Sequence, residues 1–167
     1  SSDVCSSDLD IWEGGHRVPR VVRWPGMVPA GKVRNELISQ IDIYATVAAI
    51  VGSEIPAGSA EDSYNQLALL KGSGPSVRDT LVYNTNPQGY ALRHGDWVLI
   101  DAKSGGVSAV PEWFDEANGY AKNAQAGELY NLKEDLPQKT NLYADRPEKV
   151  AELKGLLHKL RNNGQVR

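Results

Sequence analysis

The sequence contains a single cysteine, Cys5, among 167 residues. One cysteine excludes an internal disulfide and a zinc site built from cysteines. The 18 lysines and arginines are balanced by 21 aspartates and glutamates, so no basic excess points to nucleic acid as a partner. No run approaches the ~18 consecutive apolar residues of a membrane span. The composition is that of an ordinary globular chain with its own core.

The chain also lacks an initiator methionine and a basic, apolar leader at its start. We therefore expect it to begin inside a longer protein. Residues 1–9 repeat Ser-Ser-Asp, include Cys5 and show no apolar periodicity. Because Ser-Ser-Asp-Leu resembles translated sequencing-adapter DNA, we interpret residues 1–9 as a non-native prefix; a disordered polar terminus is the alternative.

Short apolar runs alternate with glycine and proline in the first half of the chain. The β-branched run 18–24 ends at Pro-Gly and predicts a strand followed by a turn. Apolar residues at helical spacing over 43–51 predict a helix, with Asp42 as its N-cap and Gly52 just past its end. The Gly/Ser/Pro-rich stretch 52–76 predicts a long connection carrying about one helical turn.

The second half has the pattern of a small antiparallel sheet. Strand signals occur at 80–83, 90–93, 97–100 and 128–132, and the middle two are joined by a His-Gly-Asp turn. Pro147 then opens a helix with one apolar face. We predict a fold of the α/β class, an α+β remnant with about four antiparallel strands packed with a C-terminal helix. The strand and helix of 18–52 would leave sheet edges bare, a second indication of an incomplete core.

Residue chemistry alone offers one candidate site. The three histidines lie far apart in sequence, and no nucleophile, paired-carboxylate or phosphate-loop pattern is present. His16 differs from the other two because it follows two glycines and precedes Arg17, in a loop whose backbone can approach a ligand closely. A simple turn leading into a strand is the alternative reading of this loop.

Several motifs, in this order along the chain, resemble segments of the sulfatases. They are Trp12-Glu-Gly-Gly-His-Arg-Val-Pro19 with Val-Arg-Trp-Pro-Gly26, Gln40-Ile-Asp42 and its helix, Tyr90-Ala-Leu-Arg-His-Gly-Asp-Trp-Val-Leu99, and Glu128-Leu-Tyr-Asn-Leu-Lys-Glu-Asp-Leu-Pro137 with Asn141-Leu142. The resemblance covers about residues 10–167. It implies a type I, arylsulfatase-like enzyme of the alkaline-phosphatase-like superfamily, with 10–76 as the end of the catalytic domain and 77–167 as a C-terminal subdomain.

Sulfatases hydrolyse sulfate esters with a formylglycine made from the first residue of a Cys/Ser-x-Pro-x-Arg motif, and with a divalent cation, usually Ca²⁺. The resemblance implies that both belong to an upstream, N-terminal catalytic portion of the same protein, because Cys5 lacks the motif and no residue matches the metal ligands. We expect this chain alone to be inactive. The family's sulfate-contacting lysine falls on Asp8, inside the suspect prefix, so we expect the native residue to have been overwritten.

The resemblance also implies roles for two residues of the segment 13–17, which we call the Glu-Gly-Gly loop. We expect His16, at the variable position of the motif, to face the substrate pocket, and Arg17 to brace the loop beside it. The implied substrate is an aryl or carbohydrate sulfate ester, and the implied location is periplasmic or secreted. Two alternatives remain: a phosphonate or phosphodiester hydrolase of the same superfamily, and a non-catalytic module that binds sulfated glycan. For either hydrolase, the long insertion 107–126 is where we expect further substrate contacts.

Overall fold

A computed structural model describes residues 10–86, 89–103, 112–119 and 122–163. The proposed prefix 1–9, with Cys5 and Asp8, lies outside the described residues, as does part of the insertion 107–126. The chain divides into two compact units. One is 20–81; the other joins 10–19 to the described residues of 82–162.

Five helices and four strands are assigned within the described residues. The helices are α1 Glu13–His16, α2 Asp42–Val51, α3 Leu67–Lys71, α4 Glu112–Asn118 and α5 Pro147–Asn163. The strands are β1 Thr80–Asn86, β2 Gly89–His94, β3 Trp97–Asp101 and β4 Glu128–Asn131. Among these residues, none of the helices combines the length and apolar character needed to cross a bilayer. The prediction of a mixed α/β fold with a four-stranded sheet is confirmed.

The sheet has strand order β1-β2-β3-β4, and β3 runs antiparallel to both β2 and β4. Alternating side chains along the strands create two buried faces. One face packs on α5 and contains Leu92, Leu99, Leu129, Val150, Leu153 and Leu157. The other is covered by Ile11 and contains Ala91, Val98, Ile100, Tyr130 and Leu132. The predicted C-terminal helix is therefore confirmed as one cover of the sheet, and the segment around Ile11 is the other.

The unit 20–81 contains α2 and α3. Helix α2 ends where its sequence predicts, because Gly52 adopts a left-handed conformation (φ 68°) and its N–H donates to the carbonyl of Ala48. The prediction that Asp42 is the N-cap is wrong. Ile41 occupies that position, Asp42 is the first helical residue, and its carboxylate binds Arg78 instead.

The predicted strand 18–24 is also wrong for this structure. Residues 17–24 are not assigned to any helix or strand, and a turn follows at 25–27. A strand exists only when its N–H and C=O groups pair with a neighbouring strand. The run 18–24 has β-branched side chains suited to a sheet, but no described segment pairs with it.

Polar side chains fill the interior of the unit 20–81. Arg78 and Asp42 are fully buried and joined by two hydrogen bonds, Nε to Oδ2 at 3.0 Å and Nη2 to Oδ1 at 2.5 Å. Gln66 Nε2 donates to the same carboxylate at 3.2 Å. Burial raises the pKa of Asp42, but the bonds from Arg78 and from the backbone N–H groups of Tyr64 and Ser39 outweigh it, so the pKa lies below 3.8.

Candidate functional site

The Glu-Gly-Gly loop is built around a buried carboxylate. Glu13, at the start of α1, is 4% exposed. Its Oε2 accepts a hydrogen bond from Arg17 Nε at 3.1 Å, and Arg93 Nη1 from β2 lies 3.3 Å from Oε1 and 3.4 Å from Oε2. Two cations therefore offset the charge of Glu13, as a buried carboxylate requires. Arg17 closes the loop locally, whereas Arg93 ties it to the sheet.

Gln138 holds the backbone of the same residue. Its Oε1 accepts a hydrogen bond of 2.6 Å from the Glu13 N–H, one of the free donors at the start of α1. Gln138 itself has a φ of 57°, which is uncommon for a residue other than glycine. The left-handed conformation belongs to the turn after β4, and the buried side chain of Gln138 reaches Glu13 from there.

Gly15 allows the loop to close tightly. A Cβ atom at this position would lie 2.1 Å from the backbone oxygen of Asp10, so a side chain does not fit. The N–H of Gly15 also donates to the carbonyl of Trp12 at 3.0 Å. The packing of the loop against Asp10 therefore requires a glycine at position 15.

His16 ends α1 and is exposed. Its ring lies 4.5 Å from the ring of Tyr83, tilted by 56°, and its Nε2 is 3.4 Å from Thr85 Oγ1. Burial of part of the imidazole lowers the pKa of His16 below 6.5, although the charge of Glu13 acts in the opposite direction. The ring is therefore neutral at pH 7 and can offer one donor and one acceptor.

Beneath the loop lies a buried hydroxyl. The hydroxyl oxygen of Tyr83 has no hydrogen-bond partner among the described residues, and burial raises the pKa of this phenol. Tyr83 thus packs against the His16 ring and stays protonated.

A second anchor joins the loop to β4. Trp12 Nε1 donates to Oε2 of Glu128 at 2.6 Å, and the hydroxyl of Tyr130 donates to the same oxygen at 2.7 Å. Glu128 is 2% exposed. Burial and the neighbouring carboxylate raise the pKa of Tyr130, so its hydroxyl remains a donor.

The structure thus gathers the loop residues on one side of the sheet. His16 and Arg17 lie together at the end of α1, as their adjacency requires, whereas Asp8 lies outside the described residues. Sequence reasoning did not select Arg93, Glu128 or Gln138. Arg93 and Glu128 lie within the quoted motifs, which was an available signal, but Gln138 falls between the quoted positions Pro137 and Asn141 and carried none.

The described residues do not supply a metal centre. Within 10–86, 89–103, 112–119 and 122–163, no three side chains of His, Cys, Asp or Glu converge closely enough to hold a metal ion. Glu13 and Glu128 are buried; both carboxylate oxygens of Glu13 and Oε2 of Glu128 already accept hydrogen bonds from donors of this chain. These residues therefore do not fit a Ca²⁺ site, and the loop presents hydrogen-bonding groups instead.

Known proteins with similar sequence and structure are sulfatases, although no protein-family model matches the chain. An N-acetylgalactosamine-6-O-sulfatase of Bacteroides thetaiotaomicron is 33% identical over 150 residues, which cover 90% of this chain and 28% of that protein. A Bacteroides thetaiotaomicron structure from work on the metabolism of multiple glycosaminoglycans superposes with a TM-score of 0.72 at 31% identity, over 90% of this chain and 30% of its own.

A sulfatase from Pseudoalteromonas sp. superposes with a TM-score of 0.68 at 25% identity, over 95% of this chain and 33% of its own. The chain therefore spans about a third or less of the length of the relatives it matches. The chain belongs to the sulfatase family and corresponds to the C-terminal part of its members.

Proposed function

We propose that this chain is the C-terminal part of a hydrolase of sulfate esters and that its Glu-Gly-Gly-His-Arg loop forms one wall of the substrate pocket. The observation that carries the proposal is the double anchoring of the loop. Glu13 binds Arg93, and Trp12 binds Glu128, so that the loop is fixed while His16 stays exposed. Rigid support beneath an exposed imidazole is typical of a binding site rather than of a surface turn.

The nucleophile and the cation belong, in this proposal, to the part of the protein that the chain does not span. A formylglycine would supply the nucleophile, and a divalent cation, usually Ca²⁺, would offset charge on the sulfuryl group. The described residues do not fit the cation, so this chain is assigned no step through it. Its contribution is to bind and orient the substrate.

Two residues of the loop receive roles. The neutral imidazole of His16 would hydrogen-bond a sulfate oxygen or a sugar hydroxyl, since it can act as donor or acceptor. Arg17 would brace the loop through Glu13, and its half-exposed guanidinium keeps further N–H groups toward solvent. A positive charge beside the pocket favours an anionic ester.

Residues 10–76 would then belong to the catalytic domain and residues 77–167 to a C-terminal subdomain whose sheet supports the loop. The substrate class is an aryl or carbohydrate sulfate. The name of the Bacteroides relative makes a 6-O-sulfated amino sugar the first carbohydrate to test. A sulfatase of this kind would act in the periplasm or outside the cell.

A chimera tests the proposal. Residues 10–167 replace the matched C-terminal part of the Bacteroides relative, and hydrolysis of 4-nitrophenyl sulfate is measured with Ca²⁺ present, beside the chain alone. We expect turnover by the chimera and none by the chain. His16→Ala should lower kcat/KM about tenfold, equivalent to about 1.4 kcal/mol. The exposed Glu61 provides the control, because Glu61→Ala should leave kcat/KM unchanged.

Each other outcome counts against the proposal. Turnover by the chain alone, or a folded chimera without turnover, contradicts it. Hydrolysis of bis(4-nitrophenyl) phosphate in place of the sulfate ester would favour a phosphodiesterase. Binding of sulfated glycan by the chain alone, without turnover by the chimera, would favour a non-catalytic module.

A further inference from the structure

Helix α1 begins without a side-chain cap of its own. Trp12 occupies the N-cap position, and its side chain makes no capping hydrogen bond. The first N–H of α1, that of Glu13, is instead bound by Gln138 Oε1 at 2.6 Å, from 125 residues further along the chain. Both Glu13 and Gln138 are 4% exposed. A free N–H at a buried helix start needs an acceptor, so Gln138 performs for α1 the role that an N-cap side chain usually performs.

Gln138 occupies this place at a cost in stability. Its φ of 57° lies in the left-handed region, which glycine and asparagine adopt more readily than glutamine. Its Nε2 is buried and has no hydrogen-bond partner among the described residues. Asparagine would suit the turn better, but its amide is one methylene shorter and would not reach Glu13. A strained backbone and an unpaired buried donor in one residue point to a role beyond the stability of the turn.

The turn that carries Gln138 is itself firmly held. The carboxylate of Asp135 accepts hydrogen bonds from the N–H groups of Lys139 at 3.0 Å and Thr140 at 2.7 Å. The N–H of Gln138 donates to the carbonyl of Asp135 at 3.1 Å. Backbone hydrogen bonds therefore fix the chain at Gln138 and on its C-terminal side, so that its amide reaches α1 from a rigid base.

The placement of Glu13 is passed on to His16 because α1 is a single helical turn that begins at the one residue and ends at the other. The carbonyl of Glu13 accepts a hydrogen bond of 2.6 Å from the N–H of Arg17, which closes this turn directly beside His16. A shift of the Glu13 backbone would therefore move the imidazole relative to the ring of Tyr83, whose centroid lies 4.5 Å away.

We infer that Gln138 is a positioning residue, which caps α1 from the turn after β4 and thereby orients His16 toward the substrate. The inference rests on the proposed function, in which His16 contacts the ester. Gln138 is buried and acts through Glu13, so it is not itself a catalytic residue. Its role differs from that of Arg93, which binds the carboxylate of Glu13, whereas Gln138 fixes the backbone of α1.

Nuclear Overhauser contacts in the 167-residue chain test the orientation of His16 without requiring activity. We expect a contact between His16 Cε1–H and the Tyr83 ring in the parent. Gln138→Met keeps the side-chain length but removes the acceptor, and Gln138→Asn suits the left-handed turn but shortens the reach. Each of these two variants should lose the contact. Gln138→Glu keeps an acceptor at the same side-chain length and should retain it.

A matched control separates this effect from a general change in the chain. Gln125 is an exposed glutamine of the same compact unit, and Gln125→Met should leave the contact unchanged. Thermal unfolding shows which variants are folded, and Gln138→Asn serves if Gln138→Met is not. A parent chain without the contact, or folded Gln138→Met and Gln138→Asn variants that retain it, would overturn the inference.

Kinetics of the chimera test whether this orientation matters for the ester. Gln138→Asn should lower kcat/KM for 4-nitrophenyl sulfate by about three- to tenfold, and no more than His16→Ala does. In the His16→Ala background it should have no further effect, because a positioning residue loses its influence with the group that it positions. An equal loss in both backgrounds would show a purely structural role and overturn the inference. Loss of the NMR contact beside a chimera inactive in every form would uphold the positioning of His16 and count against the hydrolase alone.

Discussion

The indole N–H of Trp12 donates a 2.6 Å hydrogen bond to the carboxylate of Glu128, 116 residues further along the chain. The two residues come from separate motifs, Trp-Glu-Gly-Gly and Glu-Leu-Tyr, and their contact is visible only in the folded chain. Tyr130, from the second motif, donates to the same oxygen. The two motifs are thus one structural unit, in which β4 carries the acceptor that holds the loop in place.

Glu128→Ala is expected to destabilise the chain through this unit. Removing the carboxylate leaves the Trp12 N–H and the Tyr130 hydroxyl buried without their acceptor. Each of the two orphaned donors costs about 1–3 kcal/mol, so we expect a loss of about 2–6 kcal/mol in the free energy of unfolding. Urea unfolding followed by circular dichroism measures it. Glu134→Ala, on the exposed surface beyond β4, should stay within about 0.5 kcal/mol of the parent, and equal effects of the two changes would contradict the anchor.

Two glycine substitutions should change the stability of the chain in opposite directions. Gly15→Ala places a Cβ 2.1 Å from a backbone oxygen, and overpacking of this kind costs about 1–3 kcal/mol or more. Gly155→Ala, in α5, meets nothing within 4 Å and should stabilise the chain by about 0.5–1 kcal/mol. Thermal unfolding distinguishes them by the sign of the shift in Tm. A Gly15→Ala variant as stable as the parent would show that the loop relaxes freely.

Acid should weaken the unit 20–81 through Asp42. Its folded pKa lies below the unfolded value of 3.8, so the unfolded state binds more protons in acid. The contribution of Asp42 to the free energy of unfolding is therefore complete above about pH 3.8 and is lost as the pH drops through the folded pKa. Asp42→Asn should remove this pH dependence in urea unfolding between about pH 2 and 6. Arg78→Met leaves a buried charge uncompensated and should cost about 3–5 kcal/mol at neutral pH.

The elements that could be predicted from sequence are those set by local patterns. The strand signals at 90–93 and 97–100 predict β2 and β3 correctly because these two strands pair with each other across a short turn. The apolar spacing of α2 gives the helix and its glycine end. The same spacing predicts a buried apolar face, whereas Ile43, Val47 and Ile50 are exposed in this structure.

The errors and omissions concern partners distant in sequence. Asp42 has the residue type of an N-cap, but an arginine 36 residues later binds it more strongly than a backbone N–H could. The run 18–24 has strand composition without a strand beside it. Gln138 reaches Glu13 from a left-handed position that neither composition nor spacing marks. Each depends on packing that only the folded chain defines.

The pKa of His16 provides the last prediction. Burial of the ring against Tyr83 lowers this pKa below 6.5, and the charge of Glu13 raises it. Tyr83→Ala should therefore raise the pKa toward 6.5, Tyr83→Phe should leave it low, and Glu13→Gln should lower it further. Proton NMR titration of the His16 Cε1–H measures all three.

The sign of the effect on stability follows from the same pKa. Because the unfolded state binds the proton more readily, His16 makes folding less favourable as the pH falls below about 6.5, until its folded pKa is passed. Tyr83→Ala should flatten that dependence, whereas Tyr83→Phe should preserve it. If the parent and Tyr83→Ala titrate at the same pH, Tyr83 does not shield the imidazole, and the support assigned to it beneath the loop is wrong.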